Sequence, residues 1–209
     1  MSDPLERLLQ HPSLWRASGQ SHAHRRVVPS GHAELDARLP GGGWPFPALI
    51  ELLVERWGVG ELALLVPALR QLTTDAADSR ARTLAWLNPP HIPYAPALVE
   101  RGLDPADSLV TTPLTSAQTL WATEQALRSG ACTAVLAWVD RAATPALRRL
   151  KLAAQAGGCL GLLFRSPRAR TQASPANLRL VLTPEHGALH VEVVKVQGGK
   201  PAHIRIAKL

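Results

Sequence analysis

A short glycine-containing loop, ERWGVGEL, holds the residues whose spacing comes nearest to a nucleotide-binding site. It follows the apolar segment ALIELLV, and Gly58 and Gly60 would let backbone N–H groups face an anion. A working loop also needs a lysine for the phosphates and a Ser or Thr hydroxyl for magnesium. Glu61 and Leu62 stand at those positions, where a carboxylate repels phosphate and leucine cannot bind a metal. We therefore predict a degenerate loop in which Gly58 and Gly60 are turn residues, and no cofactor.

The other side chains suited to catalysis or metal binding are scattered. Asp140 ends the apolar segment TAVLAWVD, where many nucleotide hydrolases place a magnesium-coordinating acid. Because it has no lysine and hydroxyl partners, two interpretations of Asp140 are equally open. It is either a relic of such a site, or a residue that caps a helix or forms a salt bridge with Arg141 or a nearby basic group. His22 and His24 form a lone H-x-H without further ligands, and no spacing marks a nucleophile elbow. We predict no catalytic residue and no metal site.

The elements that would position these residues alternate between strands and helices. This order implies parallel pairing with helices on both faces of a sheet. Near the C-terminus, LRLVL, LHVEVVKV and HIRIAKL alternate in polarity around the turns PEHG and QGGK, which predicts an antiparallel edge. The fold class is therefore α/β, with a mostly parallel sheet flanked by helices. We predict strands at 48–54, 83–88, 133–140 and 159–165, and helices at 61–72, 97–102, 116–130 and 144–158.

The N-terminal segment is expected to be separate from this body. Asp3, Pro4 and Glu6 supply the capping signals of a short amphipathic helix, and residues 17–30 are polar and irregular like a linker. The predicted domains are an arm with its linker at 1–27 and a main domain at 28–209. The apolar residues of the arm that are candidates for binding a partner are Leu5, Leu8, Leu9 and Trp15.

Six tryptophans stand beside only two Phe and one Tyr, so their placement matters. Trp86 and Trp138 lie in apolar strands and are expected in the core, as is Trp121 on a helix that must bury one face. The others lie in the arm or in glycine-rich turns, where an aromatic side chain either anchors a partner or packs at the core edge. In these turns the candidates for partner binding are Trp44 and Trp57.

The positive charge is concentrated in the last third of the chain. The net charge is +7, and residues 141–209 hold twelve basic and two acidic residues. Such a region attracts nucleic acid or an acidic protein surface, unless it is only a solvated face. The candidate contacts to nucleic acid or to an acidic partner are Arg148, Arg149, Lys151, Arg165, Arg168 and Arg170.

Composition narrows the class of protein further. With 46% hydrophobic and 19% charged residues, the chain has enough apolar side chains for a core and no run long enough to span a membrane. Cys132 and Cys159 both lie in apolar surroundings, which favours free thiols and a cytoplasmic location. The N-terminus lacks the pattern of a signal peptide.

A long stretch of the chain resembles RecA recombinases. The run PYAPALVERGLDPADSLVTTPLTSAQTLWATEQALRSGACTAVLAWVD is similar to their middle part, and LRLVL with LHVEVVKVQGGKP is similar to their closing strands. The resemblance covers about residues 28–200 and implies a RecA-like core. Glu61 and Leu62 replace the phosphate-binding Lys and Thr, and residues 88–91 replace the region with the catalytic glutamate. The resemblance therefore implies a scaffold without ATP-driven filaments.

Several shorter strings are similar to the ImuA family of damage-inducible mutagenesis cassettes. They include HPSLWR, SGHAELDARLPGGGWP, GVGEL, LNPPHIPYAPAL, LWATEQALRSGA and PALRRLKLAAQA. The resemblance implies a noncatalytic adaptor in SOS-induced, error-prone translesion synthesis. Its expected partners are an ImuB-type inactive Y-family polymerase, an error-prone DNA polymerase III α subunit and RecA, with weak nonspecific DNA binding also open.

Two alternatives from other functional classes stay open at this point. SulA also resembles a RecA core without its ATP site, so the chain could instead be an inhibitor that binds the cell-division GTPase FtsZ. An ATPase with an atypical site is the third alternative, which the substituted loop disfavours. Arrest of cell division on overproduction would favour the SulA-like alternative.

Overall fold

The computed structural model describes residues 26–75, 83–112 and 114–207. In chain order, its helices and strands are β1 Val27–Val28, α1 Ala33–Asp36, β2 Trp44–Pro45, β3 Ala48–Val54, α2 Glu61–Asp75, β4 Thr83–Leu87, α3 Ala95–Glu100, β5 Ser108–Thr111, α4 Ser116–Arg128, β6 Cys132–Trp138, α5 Thr144–Gly157, β7 Leu160–Arg165, β8 Leu178–Glu185, β9 Ala188–Val196 and β10 Ala202–Ala207. Short 3-10 helices at Pro105–Asp107 and Pro167–Thr171 precede β5 and follow β7.

Eight strands form one mixed sheet in the order β10, β9, β8, β3, β7, β6, β4, β5. The pairings from β8 through β3 to β5 are parallel, and β8, β9 and β10 are joined by antiparallel pairings. Strands β3, β6 and β7 are buried along their whole length because helices cover both faces. A separate two-stranded pairing joins β1 to β2.

Two helical layers enclose the sheet. On one face, α2 contributes Leu64, Leu65 and Leu69 to a core that includes Trp86 and Phe164. On the other face, α4 and α5 cover a second core. Helix α5 can approach α4 closely because Gly157 has no side chain, and a Cβ there would lie 2.0 Å from the carbonyl oxygen of Leu127. The second core is built from Leu49, Leu87, Leu127, Val135, Leu147, Leu150 and Leu163.

The prediction of a RecA-like core is wrong. Three strands at one end of the sheet are antiparallel, so the sheet is mixed, and in the described part of the chain only α2, α4 and α5 exceed six residues. The loop between β3 and α2, which would hold a nucleotide in such a core, is closed by the side chain of Glu61.

The predicted arm and linker, residues 1–27, lie almost wholly outside the described residues, and the division into two domains stays a prediction. Within the described ranges, no helix is long and apolar enough to cross a membrane. The same ranges contain no group of three or more His, Cys, Asp or Glu side chains that could hold a metal ion.

Candidate protein-binding site

The degenerate loop is organised around the carboxylate of Glu61. The backbone N–H of Gly58 donates to Glu61 Oε1 at 2.8 Å, and the N–H of Val59 donates to Oε2 at 2.9 Å. Gly58 and Gly60 have positive φ angles of 83° and 106°, which turn the backbone N–H groups inward. Glu61 is buried at the first position of α2, where the helix dipole favours a negative charge. The protein's own carboxylate therefore takes the place that an anionic ligand would need.

The two remaining residues of the predicted site are placed apart from each other. Leu62 packs against the core below α2, and Asp140 lies exposed beyond the end of β6. Neither residue is part of the hydrogen bonds that Glu61 makes with the loop. The loop has become a fixed turn between β3 and α2.

Next to this turn, α2 and α3 enclose an apolar cleft of about 300 Å³. Its floor includes Trp86 of β4, whose indole N–H donates to the hydroxyl of Ser108 at 3.3 Å. Arg101 is the only basic residue among those that line it in the described structure, and Glu61 the only acid. The side chains that give the cleft its apolar character are Leu62, Val66, Leu69, Trp86, Pro93, Tyr94, Ala97 and Leu98.

Large hydrophobic side chains that line the cleft, or that are next to its lining residues in sequence, are exposed to solvent. Tyr94 lines the cleft and is 71% exposed, and Ile92 is 77% exposed. Val99 on α3 and Trp57 in the turn before α2 are exposed as well. Exposed apolar groups gathered around a concavity are typical of surfaces that bind another protein. We refer to Trp57, Ile92, Tyr94, Val99 and the cleft as the cleft surface.

Trp57 is held by aromatic packing at the carboxyl ends of the parallel strands. Its ring meets Phe164 edge to face at 6.5 Å between centroids, and Phe164 stacks on Trp138 at 4.4 Å. Trp138 in turn stacks on Trp86 at 6.2 Å. Because Trp57 is fixed from behind, it would lose little conformational freedom on contact with a partner.

A proline-rich segment positions the exposed residues of the cleft surface that sequence reasoning missed. Asn88 leaves β4 with a φ of 56°, and its side-chain oxygen accepts from the N–H of Leu114 at 3.2 Å. Prolines at 89, 90 and 93 then prevent a helix before α3, and the proline at 96 lies in the first turn of α3, where it is tolerated. Because these prolines prevent a regular helix or strand, the apolar residues between them have no regular element that would direct them into the core. The proline spacing could therefore have indicated that Ile92 and Tyr94 are exposed.

The comparisons with known proteins point to one family. A family model described as Cell division inhibitor SulA matches residues 54–161, which is more than half of the chain. The chain belongs to the SulA family. Of the described exposed large hydrophobic residues, all lie inside the matched range, as does the whole lining of the cleft.

Two curated relatives agree with this family assignment. The protein named Cell division inhibitor SulA from Photorhabdus laumondii is 32% identical over 124 residues, which cover 59% of this chain and 67% of the relative. The protein of the same name from Edwardsiella piscicida is 32% identical over 111 residues, or 53% of this chain and 63% of the relative. The SulA-family chain thus spans about two thirds of the length of these relatives.

A solved structure is also similar to part of the chain. The crystal structure of SulA from Pseudomonas aeruginosa is 29% identical, covers 56% of this chain and 97% of that chain, and has a TM-score of 0.44.

The family assignment corrects the resemblance to ImuA. The ImuA and SulA families were both expected to have a core without an ATP site. Sequence similarity to such a core could therefore not distinguish one family from the other. The adaptor role in translesion synthesis is wrong, since the family model and both curated relatives carry the SulA name. The partners expected from that role are therefore wrong as well: an ImuB-type polymerase, a DNA polymerase III α subunit, RecA and nonspecific DNA.

Two of the tryptophans are placed differently from the prediction. Trp44 is the first residue of β2 and is fully buried in the core, so it offers no surface to a partner. Trp121, expected in the core, is 66% exposed. Helix α4 buries Thr119, Thr123 and Leu127, which are four residues apart on one face, and Trp121 lies between them on the opposite face. The candidate residues of the arm, Leu5, Leu8, Leu9 and Trp15, lie outside the described residues.

The basic candidates do not form one surface. Arg148 is exposed on α5, where Arg149 pairs with Glu124 at 3.0 Å, and Lys151 on the same helix is partly buried. Arg170 pairs with Glu192 through two hydrogen bonds. The exposed Arg168 lies near the end of β7, but Arg165 is buried.

Arg165 belongs to an ion cluster in the sheet. Its Nη1 donates to Glu51 Oε1 at 2.6 Å, and Arg179 Nε lies 2.5 Å from Glu51 Oε2. The three side chains are at most 5% exposed. Arg165 also donates to Gln172, and Arg179 donates to the carbonyl oxygen of Ala169, so the cluster fixes the turn after β7.

Proposed function

We propose that this SulA-family protein inhibits bacterial cell division by binding the division GTPase FtsZ, and that the cleft surface makes the contact. The observation that carries the proposal is the family match, because it is to the Cell division inhibitor SulA and spans residues 54–161. The proposal is the alternative that the sequence left open, now preferred over the mutagenesis adaptor. It places the protein in the SOS response and in the cytoplasm, where FtsZ assembles.

The cleft surface has the composition expected of such a contact. Aromatic and aliphatic anchors that surround a concave, apolar centre supply most of the binding free energy in protein interfaces. Tyr94 and Ile92 are more than 70% exposed, and Trp57 is backed by Phe164. Burial of these side chains by a partner would remove a large apolar area from water.

We infer that inhibition proceeds by binding and not by catalysis. Glu61 accepts hydrogen bonds from the amides of Gly58 and Val59 that would otherwise face a phosphate. Positions 61 and 62 hold neither the lysine that would contact a phosphate nor the hydroxyl that would bind its metal ion. These observations support a protein that inhibits its partner by occupying part of the partner's surface.

Overproduction in a bacterial host tests the proposed function. Expression of the protein should produce filamentous cells that replicate DNA but do not divide, and Tyr94→Ala should restore division. Trp121→Ala is the matched control, since it removes an exposed aromatic side chain from α4, which covers the opposite face of the sheet. Normal division with soluble wild-type protein present would refute the proposal.

The remaining candidate residues for partner binding are also proposed as contacts, with less support than the cleft surface. The arm residues Leu5, Leu8, Leu9 and Trp15 are proposed to bind a partner, and deletion of residues 1–18 should then weaken capture without a lower melting temperature. Arg148 is exposed and is retained as a contact to an acidic partner, with Arg148→Glu as its test.

A further inference from the structure

A second, polar cleft lies apart from the cleft surface and is independent of the proposed function. It has a volume of about 440 Å³ and lies between the end of β6, the start of α5 and the turn after β7. The cationic side chains that line it are Arg141, Arg165 and Arg168, and Asp140 is its only acidic residue in the described part of the chain.

The buried base of this cleft carries more positive than negative charge. Arg165 and Arg179 share the single carboxylate of Glu51, and all three side chains are excluded from solvent. One positive charge of the cluster is therefore not balanced by Glu51. Burial lowers the pKa of Lys195 and the charge of Arg179 lowers it further, as expected beside an excess of positive charge.

One donor at the base is left without a partner. The Nη groups of Arg165 donate to Glu51 and to Gln172, but its Nε–H has no acceptor among the described residues. Arg165 is 2% exposed, so bulk water does not satisfy this group. A buried N–H without an acceptor is costly, and an anionic acceptor removes most of that cost.

The start of α5 adds a further attraction for an anion. Its N-cap is Ala143, which makes no capping hydrogen bond, and proline at position 145 fills the first turn. Ala143 lines the cleft, so the uncapped positive end of a 14-residue helix faces it. The single acid, Asp140, is outnumbered there by Arg141 and Arg168.

We propose that this cleft binds one oxyanion group, either a free phosphate ion or the carboxylate of an acidic side chain on a bound protein. Arg141 and Arg168 hold the group from the exposed rim, and Arg165 holds it from the base. The positive charge of Arg165, whose buried Nε–H has no acceptor, attracts the anion from the base of the cleft, and the start of α5 faces it. The bound anion balances the excess charge that Glu51 leaves over.

Titration of the full-length protein with inorganic phosphate at low ionic strength tests this site. Arginine Nε–Hε signals in NMR spectra should move saturably, including the signal that Arg165→Lys removes. Arg168→Ala and Arg141→Ala should each weaken phosphate binding about tenfold, the loss of one charge-assisted hydrogen bond. Arg205→Ala is the matched control, because Arg205 is an exposed arginine on β10 that does not line the cleft, and it should leave binding unchanged.

The outcomes separate the two sources of the anion. If Arg168→Ala loses phosphate binding but captures the target protein of the proposed function normally, the ligand is a free anion. If both are lost, the ligand is a carboxylate of that partner. Absence of a saturable shift, or equal weakening by Arg205→Ala and Arg168→Ala, would overturn the proposal whether or not the proposed function holds.

Discussion

The carboxylate of Glu61 accepts a hydrogen bond from the backbone N–H of Gly58 at 2.8 Å, and it thereby fills the turn from within. A second bond from Val59 completes the contact. The same carboxylate therefore stabilises the turn that follows Trp57 and borders the cleft.

Glu61→Ala should lower the free energy of unfolding by about 1 kcal/mol, because two partly exposed N–H groups lose a charged acceptor. Glu55→Ala, at an exposed position in the same loop, should change it by no more than about 0.5 kcal/mol. Chemical denaturation of the two variants measures both values. Equal stability would show that the Glu61 hydrogen bonds contribute nothing.

Mg-ATP should not bind the unmodified protein more tightly than about millimolar, since the amides of the loop are occupied and no lysine is present. Isothermal titration calorimetry with Mg-ATP measures this directly. Micromolar affinity would mean that Glu61 swings out and that the loop is a nucleotide site after all.

Glu51→Gln should be much more damaging than loss of a surface carboxylate. It leaves Arg165 and Arg179 buried without a counter-charge, and such a change costs about 3–5 kcal/mol. Glu185→Gln removes the exposed partner of Arg205 and should cost less than about 1 kcal/mol. Denaturant midpoints of the two variants provide the comparison, and a small effect at Glu51 would mean that the ion cluster is dispensable.

Both cysteines should react slowly with thiol reagents in the folded protein. Burial raises the pKa of Cys159 far above 9.0, and burial also raises that of Cys132. A raised pKa lowers the fraction of thiolate, which is the reactive form, so labelling at pH 8 should be slower in the folded protein than in the unfolded chain. Stopped-flow labelling with and without guanidinium tests this, and equal rates would place the thiols at the surface.

The same thiols give stability a defined dependence on pH. Because their folded pKa values lie above the unfolded value of 9.0, their contribution is fully present below pH 9.0. It is lost as the pH rises through the folded values. The free energy of unfolding should therefore fall on the alkaline side of pH 9, and Cys159→Ala should reduce that slope.

Apolar periodicity was sufficient to predict most elements of the fold. The segment ALIELLV forms β3 at the predicted residues, and the predicted helix at 144–158 is observed at Thr144–Gly157. The local sequence pattern could not predict that Glu51 pairs with Arg165 and Arg179, because these residues lie 114 and 128 positions away in sequence. Burial of Glu51 inside an apolar strand depends entirely on those distant arginines.

The candidate site was less predictable because exposure depends on which face of an element packs. The sequence assigned both Trp44 and Trp57 to glycine-rich turns, yet Trp44 is buried in β2 and Trp57 is 38% exposed in the turn before α2. The interpretation of residues 58–62 as a degenerate phosphate loop, made from Glu61 and Leu62, stays a prediction. The exposure of Tyr94 could be predicted only from the prolines around it, which keep the segment before α3 out of the sheet and out of a helix.

Direct binding of FtsZ to the purified protein tests the central proposal most sharply. Tyr94 is 71% exposed, so Tyr94→Ala should leave the melting temperature unchanged. Loss of an aromatic anchor at the centre of an interface typically weakens binding by about tenfold or more. The Trp121→Ala control should bind like the wild type. Calorimetric titration of FtsZ should show this order of affinities; no binding by the wild type, or equal affinity of Tyr94→Ala and Trp121→Ala, would contradict the assignment of the cleft surface as the FtsZ contact.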